Sequence, residues 1–273
     1  MKISEVILCK YGELVLKGAN RLHFESMLLK ELRRRATPYG EFSIHYRQST
    51  LYVEPQNESC DMDGMYEAAR RVFGIASVNR AAVCEKTMES ILATAAEYLP
   101  GKLSDKRTFK VEAKRADKRF PLTSPEISRE VGAAVLTALP RLRVNVHTPD
   151  VTVTVEVRED YAYIHAGQEA GAGGLPLRSS GRGLLLLSGG IDSPVAGCMM
   201  AKRGMNIEAI HFHSYPYTSE RARDKVVELA RIVSSYAGPM DLYLVPFTEI
   251  QTTIYDKCPS SETTVLMRRL MMK

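Results

Sequence analysis

Two kinds of hydrophobic pattern divide the chain. Up to about residue 167, apolar positions recur either at every second residue or at helical spacing, whereas from residue 184 short continuous apolar runs alternate with amphipathic segments. The first kind is typical of an α+β domain, and the second of a parallel sheet covered by helices. The pattern therefore predicts an α+β part followed by an α/β domain.

The first 58 residues read as strand, helix, strand and strand. "EVILCKYG" is a short apolar run, and "NRLHFESMLLKELRRRA" is a helical pattern with Asn20 as its N-cap. "FSIHYR" and "TLYVEP" then form a predicted hairpin. The polar, turn-rich stretch 55–63 marks a boundary, so we predict a first domain over 1–58.

A second α+β domain is predicted over 61–166. Helices are expected in "MDGMYEAARRVFGI", "KTMESILATAAEYLP" and "TSPEISREVGAAVLTAL", the last with Thr123 or Ser124 as its cap. "TFKVEAKRA" reads as a strand. "VTVTVEVREDYAYIHAG" alternates strictly on both sides of a polar turn, which predicts a hairpin.

The glycine-rich stretch "QEAGAGGLPLRSSGRG" separates this part from the last domain. It is either a flexible linker or an ordered loop crossing the domain interface, and we assign the linker to 167–182. The last domain, 183–273, holds three predicted strands in "LLLLS", "IEAIHFH" and "DLYLVPF". Its final pattern, "TTVLMRRLMMK", is a helix with neither a cap nor a closing strand. We therefore expect the domain to be incomplete and the natural chain to continue.

Composition is that of a globular, cytoplasmic protein without a membrane partner. No apolar run reaches the roughly 18 residues of a membrane helix, and the N-terminus does not read as a signal peptide. The five cysteines are scattered without a C-x-x-C pair, which argues against disulfides and a cysteine zinc site. His211 and His213 share a strand face, but a metal site there has little support.

Positive charge is concentrated in one window. Residues 102–119, "KLSDKRTFKVEAKRADKR", carry a charge of +5, as large as the net charge of the whole chain. Such a concentration favours a polyanionic partner, although a run of charges is more often simply a solvated surface.

The stretch "GLLLLSGGIDSPVAG" has the strand–turn–helix order that holds phosphate in many α/β proteins. Gly189 and Gly190 allow the backbone to approach a phosphate, and Ser188 and Ser193 add hydroxyl groups. The turn contains no lysine. Asp192 would repel an anion, so it is interpreted as a Mg²⁺ ligand or as a helix cap. A purely structural turn is the alternative.

The six residues "SGGIDS" resemble the PP-loop of the N-type ATP pyrophosphatases. This resemblance implies cleavage of ATP between its α and β phosphates, with adenylation of a carbonyl oxygen and release of pyrophosphate. It implies a catalytic role for Asp192, with Mg²⁺ as cofactor. It leaves the substrate open, because amidating and sulfur-inserting enzymes share the motif.

Three further stretches resemble the tRNA 4-thiouridine synthetase family, which is also linked to thiazole synthesis for thiamine. They are "KYGELVLKGANRLHFE", "RTFKVEAKRADKRFPLTSPEISREVG" and "VTVEVREDYAYIHAGQEAGAGGLPLRSSGRG". The resemblance implies an α+β ferredoxin-like unit, an α/β THUMP RNA-binding domain and a partial α/β, doubly wound PP-loop ATP pyrophosphatase domain, in that order.

The resemblance also implies the reaction and its residues. ATP would adenylate O4 of uridine 8 in tRNA, and persulfide sulfur from a cysteine desulfurase would displace AMP to give 4-thiouridine. A sulfur carrier protein for thiamine synthesis and a homodimer are further implied partners. The implied ATP contacts are Leu186, Leu187, Ser188, Gly189, Gly190, Asp192, Ser193, His211, Phe212 and Arg268. The basic window would then contact tRNA phosphates through Lys110, Lys114, Arg115, Lys118 and Arg119.

The sequence departs from the family in its cysteines. None of the five matches the family's sulfur-accepting position, and no rhodanese-like domain follows. We therefore expect these residues to bind tRNA without completing sulfur transfer. Two alternatives remain open at this point: an amidating PP-loop enzyme, and a non-catalytic tRNA-binding protein. For His211 and Phe212 ordinary strand packing is an alternative, and for Arg268 a solvated helix face.

Overall fold

The computed structural model describes residues 4–13, 18–47 and 49–273. Residues 14–17 of the stretch "KYGELVLKGANRLHFE" lie outside the described residues. The chain divides into two compact units. One comprises residues 1–21 and 29–173, and the other comprises residues 22–28 and 174–273.

A single mixed sheet forms the first unit, with nine strands among the described residues. The strands are β1 Glu5–Tyr11, β2 Phe42–Arg47, β3 Thr50–Pro55, β4 Ile75–Glu85, β5 Thr108–Arg115, β6 Arg143–Val144, β7 Val151–Val157, β8 Tyr161–Ala166 and β9 Glu169–Ala170. Their order is β2-β3-β1-β4-β8-β7-β5-β6, and the short β9 pairs with β4. Strand β5 is parallel to β6 and β7, and the remaining neighbours are antiparallel.

The helices of the first part of the chain are α1 Arg21–Ala36, α2 Met62–Arg70, α3 Met88–Lys102 and α4 Ser124–Ala138. The side chain of Thr87 caps α3, and Thr123 forms a capping box with Glu126 at the start of α4. Asn20 occupies the predicted N-cap position of α1, but its side chain makes no capping hydrogen bond. Apolar residues of α3 and α4 pack on β7 and β8 in the main core.

Strand β4 was not predicted from the sequence. The predicted helix over "MDGMYEAARRVFGI" ends at Arg70, and β4 begins at Ile75. It pairs with β1 on one side and with β8 on the other, so the sheet runs without interruption across the boundary predicted near residue 60.

The beginning of the glycine-rich segment is ordered against β4. The N–H of Gly171 donates to the carbonyl of Ala76 at 2.9 Å, and the N–H of Gly173 donates to the carbonyl of Ile75 at 2.8 Å. A Cβ on Gly171 would lie 2.3 Å from the carbonyl oxygen of Ile75, so only glycine fits there. Residues 168–173, which include β9, are therefore ordered.

The second unit contains a parallel sheet of three strands within the described residues, in the order β10-β11-β12. Leu187, Ala209, Val226 and Ala230 form its core. Its strands are β10 Arg182–Leu186, β11 Asn206–His213 and β12 Leu242–Pro246. Its helices are α5 Asp192–Lys202, α6 Glu220–Ala237, α7 Thr248–Lys257 and α8 Thr263–Met271. The sequence did not predict α7. No helix in the described ranges is long and apolar enough to cross a membrane.

Candidate functional site

The six residues 188–193, here called the glycine turn, follow β10 after the single residue Leu187. The Ser188 N–H donates to the Ser193 hydroxyl oxygen at 2.9 Å, and the two hydroxyl oxygens lie 3.0 Å apart. The Gly190 N–H donates to the Ser188 hydroxyl oxygen at 3.3 Å. Both serines thus hold the turn in shape, a role that the sequence had not indicated.

The strand ends beside the turn bring together three of the expected nucleotide contacts. Leu187 is buried, and its N–H donates to the carbonyl of Ile210 on β11. The carbonyl oxygen of Leu187 lies 2.8 Å from Nδ1 of His211. Phe212 packs edge-on against Phe247, with ring centroids 5.5 Å apart. Leu186, the last residue of β10, is 42% exposed and faces away from this core.

Asp192 is the first residue of α5, and its side chain is exposed. It makes no hydrogen bond or ion pair to any other described residue, so it does not act as a side-chain cap. The first N–H groups of a helix have no partner within the helix, which leaves donors beside this carboxylate.

The donor set fits a Mg²⁺ ion shared with phosphate. Within the described residues, no group of three or more His, Cys, Asp or Glu side chains is placed to hold a metal. Mg²⁺ commonly takes one or two protein carboxylates and completes its shell with water and substrate phosphates. An exposed Asp192 without a partner among the described residues, beside the glycine turn, matches that requirement.

Arg268 is not brought to the glycine turn by any recorded contact. It lies on α8 with an exposed side chain. In the described part of the chain it makes no hydrogen bond or ion pair, so its assignment to the nucleotide site stays a prediction.

The expected RNA contacts fall on two different faces of the first unit. Lys110 and Lys114 alternate with β5 residues that pack on the core, and they therefore share the opposite face. The ammonium of Lys110 lies 2.6 Å from the carboxylate of Glu112, which neutralises part of its charge. Lys114 is exposed and carries no described ion pair.

Arg115 points to the core side of the sheet. Its guanidinium donates to the carbonyls of Phe120 and Leu122, both at 3.0 Å, and so holds the turn after β5 in place. In that turn, Arg119 lies 3.1 Å from Asp117 and has an 81% exposed side chain. Hydrogen bonds donated by Arg119 and, with a smaller effect, by Lys86 hold the pKa of the Asp117 carboxyl well below its usual range. Lys118 is exposed.

A groove of about 730 Å³ in the first unit was not foreseen from the sequence. Lys114 is one of its lining residues, so part of the basic window borders a concave surface. Cations and anions are balanced around it, so shape rather than net charge would select its occupant. The cationic lining residues are Arg80, Lys102, Lys106 and Lys114, and the anionic lining residues are Asp63, Glu112, Asp150 and Glu169.

A buried carboxylate lies in the same sheet. Glu156 is 1% exposed and forms ion pairs with Lys10 and, at 2.5 Å, with Arg158, while Nε2 of His165 lies 3.7 Å away. Burial alone would raise the pKa of the Glu156 carboxyl, but His165, Lys10 and Arg158 together lower it well below its usual range. This cluster joins β1, β7 and β8.

Comparison with protein-family models matches most of the chain. Residues 6–79 match a ThiI ferredoxin-like domain, residues 85–166 a THUMP domain, and residues 178–273 a model described as thiamine biosynthesis protein (ThiI). The order of these matches is the order predicted from the sequence.

Individual relatives extend over nearly the whole chain. A probable tRNA sulfurtransferase from Thermoanaerobacter pseudethanolicus is 46% identical over 99% of this chain and 70% of its own length. One from Acetivibrio thermocellus is also 46% identical, over 99% and 69% respectively. A crystal structure of a 4-thiouridine synthetase–RNA complex with bound ATP superposes with a TM-score of 0.86 at 33% identity, covering 98% of this chain and 69% of that one.

Proposed function

Because this chain belongs to the tRNA 4-thiouridine synthetase (ThiI) family, we propose that it serves ATP-dependent transfer of sulfur to tRNA. The observation that carries the proposal is the glycine turn, in which an unpaired Asp192 stands at the start of α5 beside a turn closed by Ser188 and Ser193. The substrate is uridine 8 of tRNA, whose O4 is adenylated before sulfur replaces it.

Each part of the turn has a role in this reaction. The glycine backbone and the first N–H groups of α5 bind phosphate, and Mg²⁺ held by Asp192 would neutralise phosphate charge. Leu186, Leu187, His211 and Phe212 line the adjoining strand ends, where the adenine and ribose are expected in a sheet of this kind. Arg268 belongs to the same proposed nucleotide site.

The first unit provides the RNA-binding surface. Lys110, Lys114, Lys118 and Arg119 supply positive charge for phosphates, and the groove beside Lys114 supplies a concave surface. RNA modules of this class recognise shape and single-stranded ends more than base sequence. Arg115 supports this surface indirectly, because its guanidinium fixes the turn that carries Lys118 and Arg119.

The sulfur comes from outside the described site. Burial raises the pKa of the Cys198 thiol on α5, which makes it a poorer nucleophile than an exposed thiol. A cysteine desulfurase is therefore the proposed persulfide donor, and a thiamine sulfur carrier protein and a second copy of the chain are further proposed partners. The five free cysteines support a reducing, cytoplasmic setting.

The test is a single assay with unmodified tRNA, ATP, Mg²⁺ and sulfide. We expect pyrophosphate release that depends on tRNA, and 4-thiouridine detectable by mass spectrometry of the digested RNA. Pyrophosphate release without any dependence on tRNA would contradict the proposed substrate and favour an amidating enzyme.

A second candidate function is tRNA binding without completed sulfur transfer. It is favoured by three of the five cysteines, because Cys9 and Cys84 are buried and burial raises the pKa of the Cys198 thiol. In that case the same assay would form no 4-thiouridine, while filter binding would show salt-dependent binding of tRNA.

A further inference from the structure

The glycine turn lacks the lysine that accompanies phosphate in many nucleotide-binding loops, yet a lysine stands next to it. The Cδ atom of Lys225 lies 3.9 Å from the position that a Cβ would occupy on Gly189. Lys225 belongs to α6, 36 positions after Gly189 in the sequence, so no local motif reveals this proximity.

The position of Lys225 is fixed by the core. Its neighbour Val226 is 1% exposed and packs in the same cluster as Leu187, the residue that immediately precedes the glycine turn. Helix α6 also has a defined beginning, since the side chain of Ser219 accepts a hydrogen bond from the N–H of Ala222. The backbone of Lys225 is therefore held against the turn by packing.

The ammonium of Lys225 is available for a ligand. Its side chain is exposed, and no hydrogen bond or ion pair links it to the described residues. Four other charged residues of the same helix are paired: Arg223 lies 3.2 Å from Asp224, and Arg231 lies 3.3 Å from Glu228. From Cδ, the ammonium is reached through the single Cε methylene, which places it within reach of an anion seated on Gly189.

We propose that Lys225 binds the β and γ phosphates of ATP, and the pyrophosphate formed from them, at the glycine turn. This inference rests on the proposed function. In the adenylation step, O4 of the uridine forms a bond to the α phosphorus, and the bond from that phosphorus to the α–β bridging oxygen breaks. The bond's electron pair goes to that oxygen, and the N3 proton of the uridine is released to water. Lys225 stabilises the charge that accumulates on the leaving pyrophosphate.

Calorimetric titration of the chain with ATP, pyrophosphate and AMP, each with Mg²⁺, tests this assignment. Lys225→Met should weaken ATP and pyrophosphate binding by roughly 10-fold, equivalent to about 1.4 kcal/mol. AMP lacks the bound phosphates, so its affinity should be unchanged. Lys225→Arg keeps the charge and should retain most of the ATP affinity. Lys257→Met, at an exposed lysine at the end of α7, is the matched control and should bind all three ligands like the parent.

The outcomes separate the two proposals. If the parent chain binds ATP and Lys225→Met binds it equally well, the role of Lys225 is wrong and the proposed function stands. If Lys225→Met and Lys225→Arg lose AMP and ATP affinity in equal proportion, the lysine has a structural role instead. If the parent chain binds none of the three ligands, the nucleotide site and the role of Lys225 both fail.

Discussion

Nδ1 of His211 lies 2.8 Å from the carbonyl oxygen of Leu187, so the imidazole links β11 to the residue that precedes the glycine turn. This hydrogen bond explains how a strand residue far along the chain supports the proposed nucleotide site. Both backbone polar groups of Leu187 are bonded to β11, because its N–H also donates to the carbonyl of Ile210. The entry to the turn is therefore fixed by β11.

Replacing His211 should loosen the turn. In His211→Ala, loss of the hydrogen bond to Leu187 is expected to cost about 0.5–1.5 kcal/mol of unfolding free energy. It should also weaken ATP binding, which calorimetry can measure. His211→Asn places an amide donor near the former Nδ1 and should restore part of both losses. Equal defects in the two variants would show that the ring, rather than this hydrogen bond, matters.

The substitution Asp192→Asn should reduce catalysis while leaving stability nearly unchanged. Because Asp192 is exposed and has no described partner, its replacement should change unfolding free energy by less than about 0.5 kcal/mol. Pyrophosphate release should fall on the order of 100-fold, since a charged group at the phosphates is lost. In contrast, Ser193→Ala removes hydrogen bonds within the turn and should lower stability by about 1 kcal/mol. Urea unfolding and a pyrophosphate assay on both variants check this contrast.

The basic window should divide into RNA-contacting and structural residues. Each phosphate contact contributes about 0.7–0.9 to the slope of log affinity against log salt concentration, so Lys114→Ala and Lys118→Ala should each lower the slope by that amount. Arg115→Ala removes the donor to the carbonyls of Phe120 and Leu122. It should lower the unfolding free energy by about 1–3 kcal/mol. Filter binding over a salt series measures the slope for the lysine variants, and urea unfolding measures the stability of Arg115→Ala. An unchanged slope in the double lysine variant would exclude these lysines from the RNA surface.

Glu156→Gln should reduce stability in a pH-dependent way. The pKa of the Glu156 carboxyl is lower in the folded protein than in the unfolded chain, where glutamate titrates near pH 4.3. Its stabilising effect is therefore complete above that pH and is lost as the pH falls through the folded-state pKa. We expect the variant to be about 2–3 kcal/mol less stable at pH 7, because Lys10 and Arg158 lose their buried partner.

Urea unfolding at pH 7 and at pH 4 measures this effect. The difference between parent and Glu156→Gln should be smaller at pH 4, where the parent begins to lose its contribution. Glu112→Gln is the matched control on the same sheet, because Glu112 is exposed and pairs only at the surface with Lys110. A stability difference for Glu156→Gln that does not change with pH would contradict the assignment.

The clearest sequence signals gave the right elements. The hairpin over residues 151–166 alternates strictly, and the structure contains it. Thr123, one of the two predicted caps of α4, occupies the N-cap position, where it forms a capping box with Glu126. The ferredoxin-like, THUMP and PP-loop order is confirmed by the family matches. In these places local pattern and tertiary packing agree, and the pattern was sufficient.

The missed elements have weak local signals. Strand β4 contains Ala76, Ala81 and Ala82, and alanine has little preference for strands, so its position is decided by pairing with β1 and β8. Helix α7, "TEIQTTIYDK", is rich in β-branched residues that disfavour helices. The structural role of Arg115 and the proximity of Lys225 to Gly189 depend on side-chain direction and tertiary packing. Residue spacing does not encode either.

Strand β4 limits how this protein can be divided. The ferredoxin-like match ends at residue 79 and the THUMP match begins at residue 85, so the junction between the two lies inside the one strand that spans 75–85. That strand pairs with β1 between residues 75 and 82, and with β8 between residues 82 and 85. A cut or graft at this junction would leave an open sheet edge on both products. Transfer of the RNA-binding domain to another protein would therefore require the whole of residues 4–173, so that β4 keeps both of its neighbouring strands.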